Sequence, residues 1–162
     1  MQGTALLAEF DQEMAKTRTM LERVPEDRLD WRPHEKSFSL LELAGHVSNL
    51  PSWTSMAMGT EELDLEGPFE RTPPARKDEV LDEFDRSVSG ARSALEGASA
   101  EDLAVPWTLR SGDHTVFTIP RSAVHRSMVM NHLIHHRAQL GVYLRLLDVP
   151  VPGMYGPSAD ER

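Results

Sequence analysis

The chain has 162 residues, a length that suits one domain and is short for two ordinary ones. It contains 17 lysines and arginines against 26 aspartates and glutamates, which gives a formal net charge of −9. Surfaces that bind nucleic acid or anionic membranes need clustered positive charge, so this balance argues against both partners. The sequence therefore predicts a single domain over residues 1–162 that binds neither nucleic acid nor a membrane.

The absence of cysteine limits the possible metal ligands, and the absence of long apolar segments limits the expected location of the protein. Cysteine is absent, which excludes disulfides and thiolate ligands and leaves His, Asp and Glu as the side chains for any metal site. No apolar run approaches the roughly 20 residues that span a bilayer. Met1 to Phe10 also lack the basic and apolar regions of a signal peptide. We therefore expect a cytoplasmic protein.

Apolar residues spaced by three and four predict a first helix from Thr4 to Val24. Pro25 ends it and begins a short helical turn that reaches Trp31. The second helix is predicted to begin at Ser39, because Glu42 three residues later completes a Ser-x-x-Glu capping box. Apolar residues at helical spacing follow on one side of it.

The middle of the chain is predicted to contain a loop, a helix and an extended segment. The acidic stretch of residues 59–74 has two turn signals, Gly67-Pro68 and Pro73-Pro74, and is predicted to be a solvated loop with no regular structure. Periodic apolar residues predict a third helix from Lys77 to Gly97. A turn signal followed by a β-favouring run predicts a short extended or hairpin insertion from Val105 to Pro120.

A fourth and longest helix is predicted from Pro120 to about Leu147, followed by an irregular tail rich in proline and glycine. Four amphipathic stretches of about 20 residues, each roughly 30 Å long, match the helices of a four-helix bundle. The predicted fold class is therefore all-α. We expect an up-down four-helix bundle with a long loop between helices 2 and 3 and a short extended insertion before helix 4.

Histidines lie at the edge of the apolar face on two of these helices. His132 and His136 are one turn apart, about 40° on the helical wheel, so their imidazoles can converge on one divalent metal. His46 edges the apolar face of the second helix, and facing helices in a bundle come within about 8–10 Å. Three histidine ligands without a carboxylate or thiolate leave the incomplete shell that is typical of catalytic metals.

Each of these residues also has a plainer interpretation. A single histidine on an apolar face, such as His46, is more often a hydrogen-bonded core residue, and a His-x-x-x-His pair recurs by chance on helices. We interpret His125 as a residue that packs or supports a ligand, and His135 as a surface or dimer contact. The residue after His132 is not a glutamate, which argues against a zincin protease.

Apolar side chains off the core stripe of the second helix predict a homodimer. Trp53, Met56 and Met58 lie away from that stripe, and exposed apolar side chains often mark an interface. The alternative is that the loop of residues 59–74 folds over them.

Four motifs provide a family resemblance. They are Trp31-Arg-Pro33, Ser39-Leu-Leu-Glu-Leu-Ala-Gly-His46, Asn131-His-Leu-Ile-His-His-Arg-Ala-Gln-Leu-Gly-Val-Tyr-Leu-Arg145 and Val151-Pro-Gly-Met-Tyr-Gly-Pro-Ser-Ala-Asp160. With these motifs the whole chain resembles the DinB-like, or YfiT-like, family of four-helix-bundle metalloenzymes. The resemblance implies that His46, His132 and His136 hold one divalent transition metal, with zinc or nickel favoured. Ala138 replaces the glycine of the family's His-His-Arg-Gly-Gln pattern beside these ligands.

The resemblance further implies a thiol-dependent transferase or isomerase, or a metal-dependent hydrolase, and a dimer. A metal on three histidines could lower the pKa of bound water or of a substrate thiol. The expected partners are a second copy of the chain and a small-molecule substrate, which includes a low-molecular-weight thiol. Two alternatives stay open: a metal-binding dimer without turnover, in which the metal ties two helices together, and a small-molecule binder without catalysis.

Residues beside the proposed ligands have separate expected roles. Gln139 is expected to donate a hydrogen bond to an imidazole and fix its orientation. Arg137 is expected to form a structural ion pair. Glu42 precedes His46 by one turn, but the capping box already explains it, so no general base stands out.

Overall fold

The computed structural model describes residues 2–68 and 72–161. The first half of the chain follows the predicted helices closely. It contains α1 (Thr4–Leu21), a 3-10 turn (Glu26–Arg28), α2 (Leu40–Asn49) and α3 (Ser52–Gly59). The second predicted helix is divided into α2 and α3 at Pro51, because proline has no N–H to donate and its ring crowds the preceding turn.

The capping box at the start of α2 is confirmed. The Ser39 side chain accepts a hydrogen bond from the Glu42 amide at 3.2 Å, and Glu42 Oε2 accepts one from the Ser39 amide at 2.6 Å. The Ser39 amide and hydroxyl lower the pKa of the Glu42 carboxyl by hydrogen bonding. These bonds fix the beginning of the helix on which His46 lies.

A three-stranded sheet corrects the all-α prediction. Its strands are β1 (Glu62–Asp64), β2 (Pro106–Ser111) and β3 (His114–Pro120), in the order β1-β2-β3. β2 and β3 form the predicted hairpin, with Gly112 at φ 55° in its turn. β1 pairs in parallel with β2, so the prediction of no regular structure over residues 59–74 is wrong there. Residues 69–71 of that predicted loop lie outside the described residues.

Ion pairs explain why an acidic segment forms a strand. Arg110 on β2 contacts the carboxylates of Glu62 at 2.9 Å and Asp64 at 2.6 Å. Asp64 also accepts a hydrogen bond from the Gly112 amide at 2.9 Å. The acidic side chains are therefore paired across strands rather than simply solvated.

The third predicted helix, α4 (Lys77–Gly97), has the predicted bounds. A short helix that the sequence analysis missed, α5 (Ala100–Ala104), follows it with a capping box formed by Ser99 and Asp102. The fourth predicted helix consists of α6 (Arg121–Val124), a π-helical stretch (His125–Asn131) and α7 (His132–Leu146).

Packing divides the buried side chains into two clusters. α1 and α2 each contact both α4 and α7, and these helices enclose the main core. The second cluster lies between the sheet and α3, where Trp53 and Met56 pack with the fully buried Trp107. Leu63 of β1 joins this cluster. The side chains that suggested a dimer surface on the second helix are thus largely covered within the chain.

No helix among the described residues has the length and apolar character needed to cross a membrane.

Candidate metal centre

The structure brings His46, His132 and His136 together. One nitrogen from each ring lies within 4.8 Å of the others, and His46 Nε2 is 3.3 Å from His132 Nε2. Two nitrogens at 2.0–2.1 Å from a tetrahedral ion are about 3.4 Å apart, so the observed separation suits one shared ion. All three rings are partly buried where α2 contacts α7.

A hydrogen bond at the far side of the His136 ring fixes which of its nitrogens faces the cluster. His136 Nδ1 lies 2.7 Å from Gln139 Oε1, an acceptor, so Nδ1 carries the proton and Nε2 keeps its lone pair. Gln139 Nε2 in turn lies 3.0 Å from His135 Nε2, which fits an amide that donates to His135. The predicted contact between Gln139 and an imidazole is confirmed, but its direction is corrected: Gln139 accepts from the clustered His136 and donates to His135 instead.

The electrostatic surroundings favour the neutral, metal-binding form of both rings on α7. Burial lowers the pKa of His132, although a hydrogen bond to the Met128 backbone opposes the shift. Burial also lowers the pKa of His136, opposed by the hydrogen bond with Gln139 and assisted by the two neighbouring histidines. A metal needs the neutral imidazole, so these residues fit a divalent ion.

The other histidines do not join the cluster. His125 is 4 % exposed and its Nδ1 lies 3.0 Å from the Thr54 hydroxyl, so its predicted packing role is confirmed. His135 is exposed, as predicted for a surface residue, and its ring centre is 4.8 Å from that of His136. His34 and His114 are exposed, the first in a turn and the second on β3.

Arg137 turns away from the histidines into the protein. Its guanidinium bonds the Glu13 carboxylate at 2.5 Å and also contacts the Tyr155 hydroxyl at 2.8 Å. Burial alone would raise the pKa of Glu13, but hydrogen bonds from Arg137 and Tyr155 and the nearby positive charges bring that pKa below its usual value. The predicted structural ion pair is confirmed.

A cavity of about 430 Å³ opens beside the cluster. Its lining consists of Pro33, Lys36, Ser37, Phe38, His136, Gln139, Val142 and Tyr143. Of these lining residues, the sequence indicated roles only for His136 and Gln139. Tyr143 lies seven residues after His136, so helical spacing could have placed it on the same face, whereas no spacing relates Lys36 to α7.

A sequence model of the DinB superfamily matches residues 9–140, which is most of the chain and includes all three clustered histidines. The chain belongs to the DinB superfamily. No functionally curated protein matches it.

Solved DinB-like structures have the same fold. A DinB-like protein from Bacillus cereus is 21% identical with a TM-score of 0.71, over 93% of this chain and 95% of that chain. One from Bacillus subtilis is 19% identical with a TM-score of 0.70, over 94% and 99%. A mutant of mycothiol-dependent maleylpyruvate isomerase is 12% identical with a TM-score of 0.58, over 93% of this chain and 62% of that chain. At these identities the similarity shows the fold alone.

Proposed function

We propose that this DinB superfamily protein is a metal-dependent enzyme in which His46, His132 and His136 hold one divalent transition metal. The observation that carries the proposal is the convergence of three ring nitrogens beside an open cavity. Histidine nitrogens suit both zinc and nickel, nickel by affinity and zinc by availability. The proposed reaction is that of a thiol-dependent transferase or of a hydrolase.

The chain's own residues would bind and orient the substrate. A metal held there would supply a Lewis acid that favours the anionic form of a thiol or of water. Gln139 holds His136 in one tautomer, and Phe38 packs its ring 6.0 Å from that of His46. The Tyr143 hydroxyl donates to the Phe38 carbonyl at 3.2 Å, which closes one side of the cavity.

A low-molecular-weight thiol is the proposed co-substrate, and similarity in fold to the mycothiol-dependent isomerase supports it.

The same proposal includes a cytoplasmic location, which cell fractionation tests. It also includes the up-down four-helix layout, which the contacts of α1 and α2 with both α4 and α7 support.

The experiment is a substrate screen on protein loaded with zinc or nickel, using thiol conjugates and simple esters. We expect turnover that a chelator abolishes, that His132→Ala lacks and that His114→Ala retains, because His114 is exposed on β3. If no substrate in a broad screen gives metal-dependent turnover, the enzyme proposal fails.

A non-catalytic metal site is the second candidate. No aspartate or glutamate lines the cavity among the residues that the structure describes, so the described lining offers no carboxylate as a general base. In this case the metal would link α2 to α7 and raise the melting temperature without any turnover. Thermal unfolding with and without zinc, run beside the substrate screen, separates the two candidates.

We also propose a homodimer, through α7 rather than the second helix. Val142 and Leu146 are 58% and 57% exposed, and Tyr155 beside them is 68% exposed. α7 contains no acidic residue, so this face avoids the repulsion expected between two copies of a chain with net charge −9. An apolar groove of about 440 Å³ runs along the same face, between α7 and the tail.

Sedimentation at micromolar concentration tests the dimer. We expect twice the 18.2 kDa mass of the chain. Leu146→Glu should dissociate the dimer, whereas Val116→Glu, on an exposed position of β3, should not. A wild-type protein that sediments only as a monomer would reject the proposal.

A further inference from the structure

The loop before α2 holds Lys36 at the cavity beside His136. The Ser37 amide donates to the His34 carbonyl at 3.0 Å, and the Lys36 amide donates to His34 Nδ1 at 3.1 Å. The Tyr143 hydroxyl bonds the Phe38 carbonyl at the end of this loop. The backbone on both sides of Lys36 is therefore fixed by hydrogen bonds, and this exposed residue lines the cavity.

Lys36 gives this cavity a charge opposite to that of the whole chain. It is the only lysine, arginine or carboxylate in the lining, within the described part of the chain. The chain has just three lysines. Lys16 lies 3.5 Å from the Glu13 carboxylate, and Lys77 begins α4 directly before two acidic residues. No ion pair of the described ranges 2–68 and 72–161 includes Lys36, and the arginine closest to it in the sequence, Arg32, pairs with Glu42.

The rest of the lining is mainly apolar. Phe38, Val142 and Tyr143 present aromatic and aliphatic surface, and the polar groups of Ser37, Gln139 and His136 complete the lining. Ligand sites commonly combine an apolar wall with a few polar or charged groups that fix orientation. A molecule bound here needs an apolar body and a negative group at the Lys36 end.

We propose that the cavity binds a small carboxylate with an apolar body, and that Lys36 is the specificity-determining residue that pairs with the carboxylate. The inference deepens the proposed function, because it names the substrate class of the same site. The carboxylate lies at Lys36 and the body packs against Phe38 and Tyr143. The opposite end of the molecule then reaches His136.

Amine labelling of Lys36 is the direct test. The probe is phenylacetate, and phenylacetamide is its neutral control of nearly equal shape. Limited acetylation followed by peptide mass spectrometry reports all three lysines in one sample. We expect phenylacetate to protect Lys36 while phenylacetamide does not, and Lys16 and Lys77 to be unchanged. Equal labelling of Lys36 with and without phenylacetate, up to the solubility limit, would overturn the proposal.

Variants separate this inference from metal binding. In metal-free protein, Lys36→Gln should weaken phenylacetate binding about tenfold, a change typical of losing one charged hydrogen bond. Lys36→Arg should keep most of the affinity, and Lys77→Gln should change nothing. Binding that needs zinc and ignores Lys36 would show a carboxylate on the metal instead, and would also overturn the proposal. Protection of Lys36 in a protein that holds no metal would support this inference while the proposed function fails.

Discussion

At the residue scale, a histidine can bind a metal through its inward ring nitrogen only when the proton is on the outward one. The partner of the outward nitrogen is therefore important. Gln139 fixes the orientation of the His136 ring and the Met128 backbone that of His132, while burial lowers the pKa of both rings and so favours their neutral form. His125, on the preceding π-helical stretch, is turned towards Thr54 instead. The helical wheel predicted that His132 and His136 lie on one face. It could not predict that His125 turns away from the cluster, because that depends on contact with Phe10 of another helix.

Gln139→Ala should weaken metal retention with little loss of stability. It removes the acceptor that holds the His136 ring, and losing such an outer contact typically costs about 10- to 100-fold in metal affinity. Competition with a chromogenic chelator measures the change, and Gln12→Ala on the exposed face of α1 is the control. Equal affinity of the Gln139 variant and the wild type would contradict this role.

Arg137→Ala should destabilise the fold while the metal is retained. Removal of Arg137 leaves the buried Glu13 carboxylate with only Lys16 and the Tyr155 hydroxyl as partners, and breaking a buried ion pair costs up to about 3–5 kcal/mol. Urea unfolding and metal analysis on the same samples check both parts. The double change with Glu13→Gln should cost less than the sum of the two single changes, since the two side chains are in direct contact. Additive losses, or metal loss at unchanged stability, would contradict the structural role.

His125 should make the protein less stable in acid. Burial lowers its pKa to about 4, with Glu9 opposing and Arg126 assisting the shift. The unfolded chain has the ordinary value near 6.5 and binds the proton first, so stability is full above pH 6.5 and falls as the pH drops towards 4. The free energy of unfolding falls by about 3 kcal/mol over this pH range.

Urea unfolding of metal-free protein at pH 7 and pH 4.5 tests this loss. His125→Gln should have a smaller difference between the two pH values than the wild type, while the remaining histidines contribute equally to both proteins. Identical pH dependence in the two proteins would show that His125 does not contribute.

At the scale of elements, local signals were predictable and contacts between distant segments were not. Apolar periodicity predicted the approximate bounds of α4, and the capping box predicted the start of α2. β1 was missed because an acidic segment lacks β-favouring residues, and the ion pairs with Arg110 that stabilise it as a strand come from a distant part of the chain. The π-helical stretch has no periodic signal of its own in the sequence, and it lies directly before His132.

Ser39→Ala should destabilise the protein by about 1 kcal/mol, the usual cost of losing an N-cap. The lost hydrogen bond leaves the Glu42 amide at the beginning of α2 without its acceptor. Chemical denaturation measures the loss, and Ser39→Asp should restore most of it because aspartate also caps helices well. An alanine variant as stable as the wild type would show that the cap contributes nothing.

At the scale of the whole molecule, the candidate site is formed by helices far apart in the sequence. His46 and His132 are 86 residues apart, and the contact between α2 and α7 joins them. Sequence spacing identified the two clustered histidines on α7 and suggested His46 as the third. The cavity wall could not be predicted, because the loop around Lys36 reaches α7 only through the folded chain.

Metal content of purified protein after dialysis tests the central claim most directly. Wild type and His114→Ala should each retain one divalent metal per chain, because His114 is exposed and away from the cluster. His132→Ala should lose the metal while its circular dichroism spectrum remains that of a folded helical protein. Stoichiometric metal in His132→Ala, equal to that of the wild type, would contradict the three-histidine site.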